Sequence, residues 1–156
     1  MADGNRDTAG VVAPAPLIFA IPLLVALYED RSHPLSAMPQ RFATPIGGVL
    51  IGIALIVLLA SAIRFWKART PLVPYRPTTA IVETWPYSMS RNPIYLSMSL
   101  MYVGISLVFN TLWPLLLFPL VMLVMQRGVI EREERYLERK FGREYINYKS
   151  RVRRWL

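Results

Sequence analysis

The chain has 156 residues, enough for one domain, and 54% of it is apolar while only 18% is charged. Globular chains average about 45–50% apolar and about 25% charged, so disorder is excluded and an ordinary soluble domain is disfavoured. The net charge of +8 in so hydrophobic a chain points to cytoplasmic loops and anionic lipid rather than to nucleic acid.

The start, residues 1–7, is acidic and polar, unlike the basic opening of a secretory signal. The first apolar stretch, 11–28, is therefore expected to stay in the mature protein. Pro14, Pro16 and Pro22 predict that its helix starts late or is kinked. Residues 46–63 form an 18-residue run without a charge, about the minimum that spans a bilayer. Gly47, Gly48 and Gly52 in that run suit close packing of helices. Residues 71–77 are proline-rich and read as a stiff connector. Two further apolar segments, 94–109 and 112–125, are separated only by Asn110 and Thr111 and so predict a helical hairpin. Pro114 and Pro119 are expected to bend its second arm.

Charge then orients these four segments. Five basic residues lie in 64–91 and ten in 127–156, leaving three of the eighteen elsewhere. A hairpin puts the two basic segments on one side, which the positive-inside rule makes cytoplasmic. The expected architecture is all-α and integral to the membrane, multi-pass, with about four transmembrane helices and both termini cytoplasmic. The inner membrane of the cell is the expected location. Beyond the hairpin, Ile130, Leu137, Phe141, Tyr145, Tyr148 and Val152 recur at helical spacing. They predict cytoplasmic amphipathic helices, broken at Gly142. The whole chain, 1–156, reads as a single domain. Residues 1–66 supply two spans, and 67–156 supply the hairpin and C-terminal helices.

Three features could carry chemistry. Asn92 followed by Pro93 predicts a helix start, whose free N–H groups beside Arg91 form a seat for a carboxylate. The plainer reading is an ordinary cap with an arginine touching lipid phosphate. Tyr95, Ser99, Tyr102 and Ser106 make a polar stripe on the following helix, either glue between helices or the wall of a pocket. Glu131, Glu134 and Glu138 share one face of a later helix. Glu131 can pair with Arg135, but Glu134 opposes Glu138. A solvated charged face is the ordinary explanation, yet such self-repulsion suits a stripe that meets a cation or several donors. A ligand with a carboxylate at one end and a cationic amine or sulfonium elsewhere fits both seat and stripe, and S-adenosylmethionine is one. With no cysteine and only His33, thiolate nucleophiles are excluded, a histidine centre is disfavoured, and no metal is expected.

The sequence from Ser90 through Arg91, Asn92, Pro93, Ile94 and Tyr95 strongly resembles one family when read with the segments that follow. These are a hairpin, then Glu133-Glu134-Arg135-Tyr136-Leu137, then Phe141-Gly142-Arg143-Glu144-Tyr145 with Tyr148. The family is that of the isoprenylcysteine carboxyl methyltransferases, related to the phospholipid N-methyltransferases, and the resemblance covers residues 70–156. It implies a membrane enzyme that transfers methyl from S-adenosylmethionine to a lipidic or small hydrophobic acceptor, a prenylcysteine-like carboxylate or a phospholipid-like amine. S-adenosylhomocysteine would be the product. By motif position, Arg91, Asn92, Pro93 and Tyr95 would form one wall of the cofactor site. Glu133 and Glu134 would be its glutamate pair, and Tyr145, Tyr148 and Arg151 would lie on its cytoplasmic cover. Arg91, Glu134 and Arg151 are the candidates for a direct part in the reaction. One departure is Trp85, where many relatives carry glycine, which puts the path of residues 83–87 in question. Two rival readings fit parts of the chain. One is a small sterol-type membrane reductase, which the short chain disfavours. The other is a non-enzymatic membrane assembly protein that uses these features only to cap and solvate helices.

Overall fold

The computed structural model describes residues 8–69 and 78–156. The expected connector at 71–77 and the acidic start at 1–7 lie outside the described residues. Among the described residues the chain is all-helical, with no strand beyond one isolated bridge between Ser36 and Thr111. The helices are α1 (Ala15–Glu29), α2 (Gln40–Lys67), α3 (Pro93–Val108), α4 (Trp113–Met125), α5 (Glu131–Phe141) and α6 (Arg143–Arg151), with a π-helical segment, Gln126–Ile130, joining α4 to α5.

Prolines and glycines set several of these boundaries. α1 starts directly after Pro14, the late start that the sequence predicts. α3 starts at Pro93, whose missing N–H costs nothing in a first turn. Pro114 also falls in a first turn, that of α4, so the expected bend there gives way to a proline at a helix start; Pro119 lies inside the helix. Asn110 takes the left-handed conformation, φ 51°, that turns α3 back into α4. Gly142, at φ 54°, separates α5 from α6, as a glycine can at little cost.

α2, with 28 residues, and the continuous helical run from Trp113 are long and apolar enough to cross a membrane. α1 and α3 are apolar but shorter, 15 and 16 residues. Much of the apolar surface faces outward: Val49, Ile56 and Leu59 of α2 are each more than 60% exposed, as are Leu24 and Tyr28 of α1. In water such a band would be an aggregation site; against lipid it is satisfied.

Inside, Phe19 and Leu23 of α1 meet Tyr102 of α3 and Val121 and Met125 of α4. The fully buried Tyr102 donates its hydroxyl to the Pro114 carbonyl at 3.0 Å. Ser99 and Ser106 donate to the carbonyls of Tyr95 and Tyr102 one turn back. Beyond Tyr95, then, the polar stripe is internal satisfaction and helix glue rather than a pocket wall. At the end of the bundle holding the α3–α4 turn, Thr111 Oγ1 donates to Asp30 at 2.8 Å and the Leu112 N–H to the Leu35 carbonyl at 2.7 Å, tying the hairpin to the α1–α2 loop.

α2 and α3 pack closest where Gly47 faces Gly104. A Cβ on Gly47 would stand 2.6 Å from the Gly104 carbonyl oxygen, and one on Gly104 would stand 2.9 Å from that of Gly47. Gly48 and Gly52 have nothing within 4 Å of such a Cβ, so of the three expected packing glycines only Gly47 packs. Gly47→Ala should therefore destabilise the fold by about 1–3 kcal/mol through overpacking, whereas Gly48→Ala should be neutral or raise stability by up to about 1 kcal/mol through helix propensity. Thermal unfolding of the two variants in the same detergent checks the contrast.

Candidate functional site

The site is built where three chain segments converge on the start of α3. Residues 90–95 lead into α3, α5 and α6 pack over them, and residues 78–82 run alongside. The π-helical segment sets the approach of α5. It adds one residue to the α4–α5 helical run, and each residue turns a helix by about 100°. α5 therefore presents Glu133, Glu134 and Leu137 toward α3. Val12 holds the π segment in place: its N–H donates to the Gly128 carbonyl at 3.1 Å, and its side chain fills the space where a Gly128 Cβ would stand.

These elements line a cleft that opens to solvent. Arg91, Asn92, Pro93, Tyr95, Glu133, Glu134, Tyr145 and Tyr148 all line it. The structure thus brings together every residue that the sequence assigns to cofactor binding. Arg151 is placed elsewhere, largely exposed and paired with Glu83 at 2.8 Å.

Arg91 is at the centre. Its side chain is only 9% exposed, with Nη1 3.2 Å from Glu134 Oε1. That approach is a charge contact without hydrogen-bond alignment, and Nε and Nη1 both lie buried without a hydrogen-bond partner among the described residues. Glu134, also buried, is gripped by Arg154, Nε to Oε1 at 2.9 Å and Nη2 to Oε2 at 2.7 Å. Glu138 pairs with Lys149. The self-repulsion expected between Glu134 and Glu138 is thus answered by cations of the chain itself. Glu131 accepts from Gln126 at 3.3 Å.

Glu133 differs from its neighbours. It lies on charged α5, past the apolar part of its helical run, and accepts a 2.6 Å hydrogen bond from Tyr95 Oη. No cation among the described residues pairs with it. Burial pushes its carboxyl up to about 7, with the Tyr95 hydroxyl pulling the other way and Glu134 adding repulsion. Burial likewise raises the Tyr145 phenol to about 12, and raises Tyr148 further. Both stay neutral, and Tyr148 donates to the Tyr87 carbonyl at 2.7 Å.

Asn92 stands at the N-cap position of α3, but its side chain makes no cap hydrogen bond. Nδ2 instead donates to the Arg154 carbonyl at 3.0 Å, because the segment after α6 lies across this helix start. Sequence reasoning left three cleft-side residues unassigned. Tyr87 is buried and packs on Phe65 with ring centroids 5.2 Å apart, and among the described residues its hydroxyl makes no geometrically aligned hydrogen bond. Tyr136 accepts from the Thr78 N–H at 3.3 Å and so holds the segment beside the cleft. Arg154 read as one more topogenic charge; nothing in its spacing marks a partner twenty residues back. At Trp85 the backbone is not in the left-handed region, so tryptophan in place of glycine carries no strain here.

The phospholipid methyltransferase family profile matches residues 42–144. Among curated proteins, the nickel-cobalt-cadmium resistance protein NccN of Alcaligenes xylosoxydans xylosoxydans is 29% identical over 131 residues, 83% of this chain and 57% of that protein. An uncharacterised protein of Haemophilus influenzae is 60% identical over 35 residues, 22% of this chain and 56% of that protein. The matches thus span just over half the length of these curated relatives. No solved structure matches.

The role of Asn92 is open to a direct check. Aspartate caps a helix as well as asparagine does but cannot donate to a carbonyl. Asn92→Asp and Asn92→Ala should both lose about 1 kcal/mol of stability and speed amide exchange in residues 152–154. Asparagine-like behaviour of the Asp variant would show that capping is what matters.

Proposed function

We propose that this chain, which belongs to the phospholipid methyltransferase family, transfers a methyl group from S-adenosylmethionine to a lipidic acceptor at the membrane surface. The observation that carries the reading is Arg91. A buried guanidinium at the edge of a cleft, with two nitrogens unpartnered among the described residues, is costly, and the cost is offset when an anion binds there. The carboxylate of the cofactor suits that fork, Tyr145 and Tyr148 supply neutral aromatic walls, and Asn92, Pro93 and Tyr95 supply the floor. The donor set fits the group.

When bound, S-adenosylmethionine supplies an electrophilic methyl on a sulfonium: the acceptor's lone pair forms the new bond, and the carbon–sulfur pair leaves with S-adenosylhomocysteine. The chain needs no nucleophile of its own, consistent with a sequence lacking cysteine. Its residues align the partners and exclude water. Glu133 accepts the proton of an ammonium acceptor, a task suited to a carboxyl near 7. That favours an amine-bearing lipid over a carboxylate acceptor. Glu134, gripped by Arg154, stands beside Arg91 as a fixed charge and takes no part in the transfer. Arg151, outside the cleft, is assigned to the cytoplasmic cover alone.

In this reading α1, α2, α3 and the run of α4 with the π-helical segment all cross the inner membrane, the shorter α1 and α3 by local thinning of the bilayer. The cleft and both termini are then cytoplasmic, and the acceptor enters sideways from the bilayer past Phe65 at the end of α2. Single cysteines are clean reporters in this cysteine-free chain. Ser36→Cys should label from the periplasmic side and Ser150→Cys should not; the reverse pattern inverts the topology.

Titration calorimetry in detergent tests the cofactor: the parent should bind S-adenosylmethionine, and a folded parent that does not is an assembly protein instead. Arg91→Lys keeps the charge but loses the fork. It should weaken binding by about tenfold or more with unfolding unchanged; full binding and turnover would return Arg91 to a lipid anchor. Glu133→Gln should spare binding and cut methyl transfer to an amine by about 10²-fold or more. Because the base works when deprotonated, the parent's rate should climb with pH through about 7, and the Gln variant should lose that climb.

A further inference from the structure

Arg91 is not taken up by the carboxylate that stands beside it. Glu134 Oε1 is 3.2 Å from Nη1, yet among the described residues neither Nη1 nor Nε makes a hydrogen bond. Arginine forks and carboxylates favour a two-pronged pairing, so something must hold Glu134 out of it. Arg154 does so. It takes both oxygens, at 2.9 and 2.7 Å, in the two-pronged geometry that Arg91 lacks.

The main chain delivers Arg154 to this position. The Arg91 N–H donates to the Arg153 carbonyl at 2.9 Å, and Ser90 Oγ and Asn92 Nδ2 donate to the Arg154 carbonyl at 3.3 and 3.0 Å. None of these bonds involves the Arg154 side chain. The backbone of the segment stays docked whatever that side chain is.

We propose that Arg154 is a positioning residue: by occupying both oxygens of Glu134 it keeps the Arg91 guanidinium out of a two-pronged pair and so available to the carboxylate end of an amino-acid-bearing ligand. This rests on the reading above, in which Arg91 receives that carboxylate. Without Arg154, Glu134 has one cation left and closes the seat by pairing with Arg91. If the charge of Glu134 is removed as well, Arg91 has no internal counter-ion and the seat reopens. Arg154 and Glu134 thus act in opposition. Two residues that merely held the fold together would give a double variant worse than either single one.

The test is calorimetry on the full chain in detergent with two probes. S-adenosylhomocysteine carries the carboxylate; 5′-deoxy-5′-methylthioadenosine is the same nucleoside thioether without the amino-acid end. Arg154→Ala should weaken S-adenosylhomocysteine by about tenfold or more and leave methylthioadenosine within about twofold. Adding Glu134→Gln should recover most of the lost affinity. Arg154→Lys, which keeps the charge but can make only one of the two contacts, should fall between parent and Ala, and it serves if the Ala variant does not fold. Unchanged S-adenosylhomocysteine binding in both Arg154 variants, equal loss of both probes, or no recovery in the double variant overturns the proposal. A parent that binds neither probe overturns the cofactor reading and this proposal with it. A parent that binds both, with a flat Arg154 series, overturns Arg154 alone.

Discussion

One buried charge organises the end of the molecule that carries the cleft. Glu134 is shared by Arg91, ahead of α3, and Arg154, beyond α6, so three distant stretches of chain meet at one carboxylate. A buried pair pays heavily for lost hydration, and removing one partner leaves the other uncompensated, typically at about 3–5 kcal/mol. That penalty makes the arrangement all-or-none: α5 cannot drift from α3 without exposing or orphaning a charge. Residues 152–154 are docked beside that carboxylate. Main-chain donors and acceptors at the start of α3 hold them while Arg154 reaches Glu134.

The charge cluster works only because the apolar part of the chain brings it into register. The Gly47–Gly104 contact lets α2 and α3 approach backbone to backbone, which fixes the axial position of Pro93 against the end of α2. Tyr102, bonded to the Pro114 carbonyl, fixes α3 against α4. The π-helical segment then turns α5 so that its acidic face meets Arg91. Each step passes a position on to the next, from helix packing to the cleft.

Much of this could be read in the sequence. Helix boundaries at Pro14, Pro93 and Gly142 are local chemistry, a missing N–H or a tolerated positive φ, and local chemistry is written in single residues. The cleft was legible through its motifs, since Arg91, Tyr95, Glu133 and Tyr145 were singled out and all line it. What stayed hidden depends on partners far along the chain. Asn92 has the right identity for a cap, but a carbonyl sixty-two residues away claims its side chain. Gly48 and Gly52 looked like Gly47 because composition does not say which face of a helix meets a neighbour. The π segment breaks the 3.6-residue period that such readings assume. Helix lengths left the number of spans open, because α1 and α3 fall just short of an ordinary bilayer crossing.

The two glutamates show why position outweighs residue type in such a site. Glu133 and Glu134 are consecutive, equal in intrinsic acidity, and on the same short helix. Yet 100° of rotation gives one two arginines and the other a tyrosine hydroxyl. Glu134, flanked by cations, is held as a fixed charge. Glu133, half-buried with a single neutral donor, has a carboxyl raised to about 7, where gaining or losing a proton costs little. A chain without cysteine, and with its one histidine on an exposed loop at the other end of the bundle, thereby obtains a group that titrates near neutrality from an ordinary glutamate. The same desolvation acts on Arg91, whose Nε and Nη1 lie buried without a hydrogen-bond partner among the described residues.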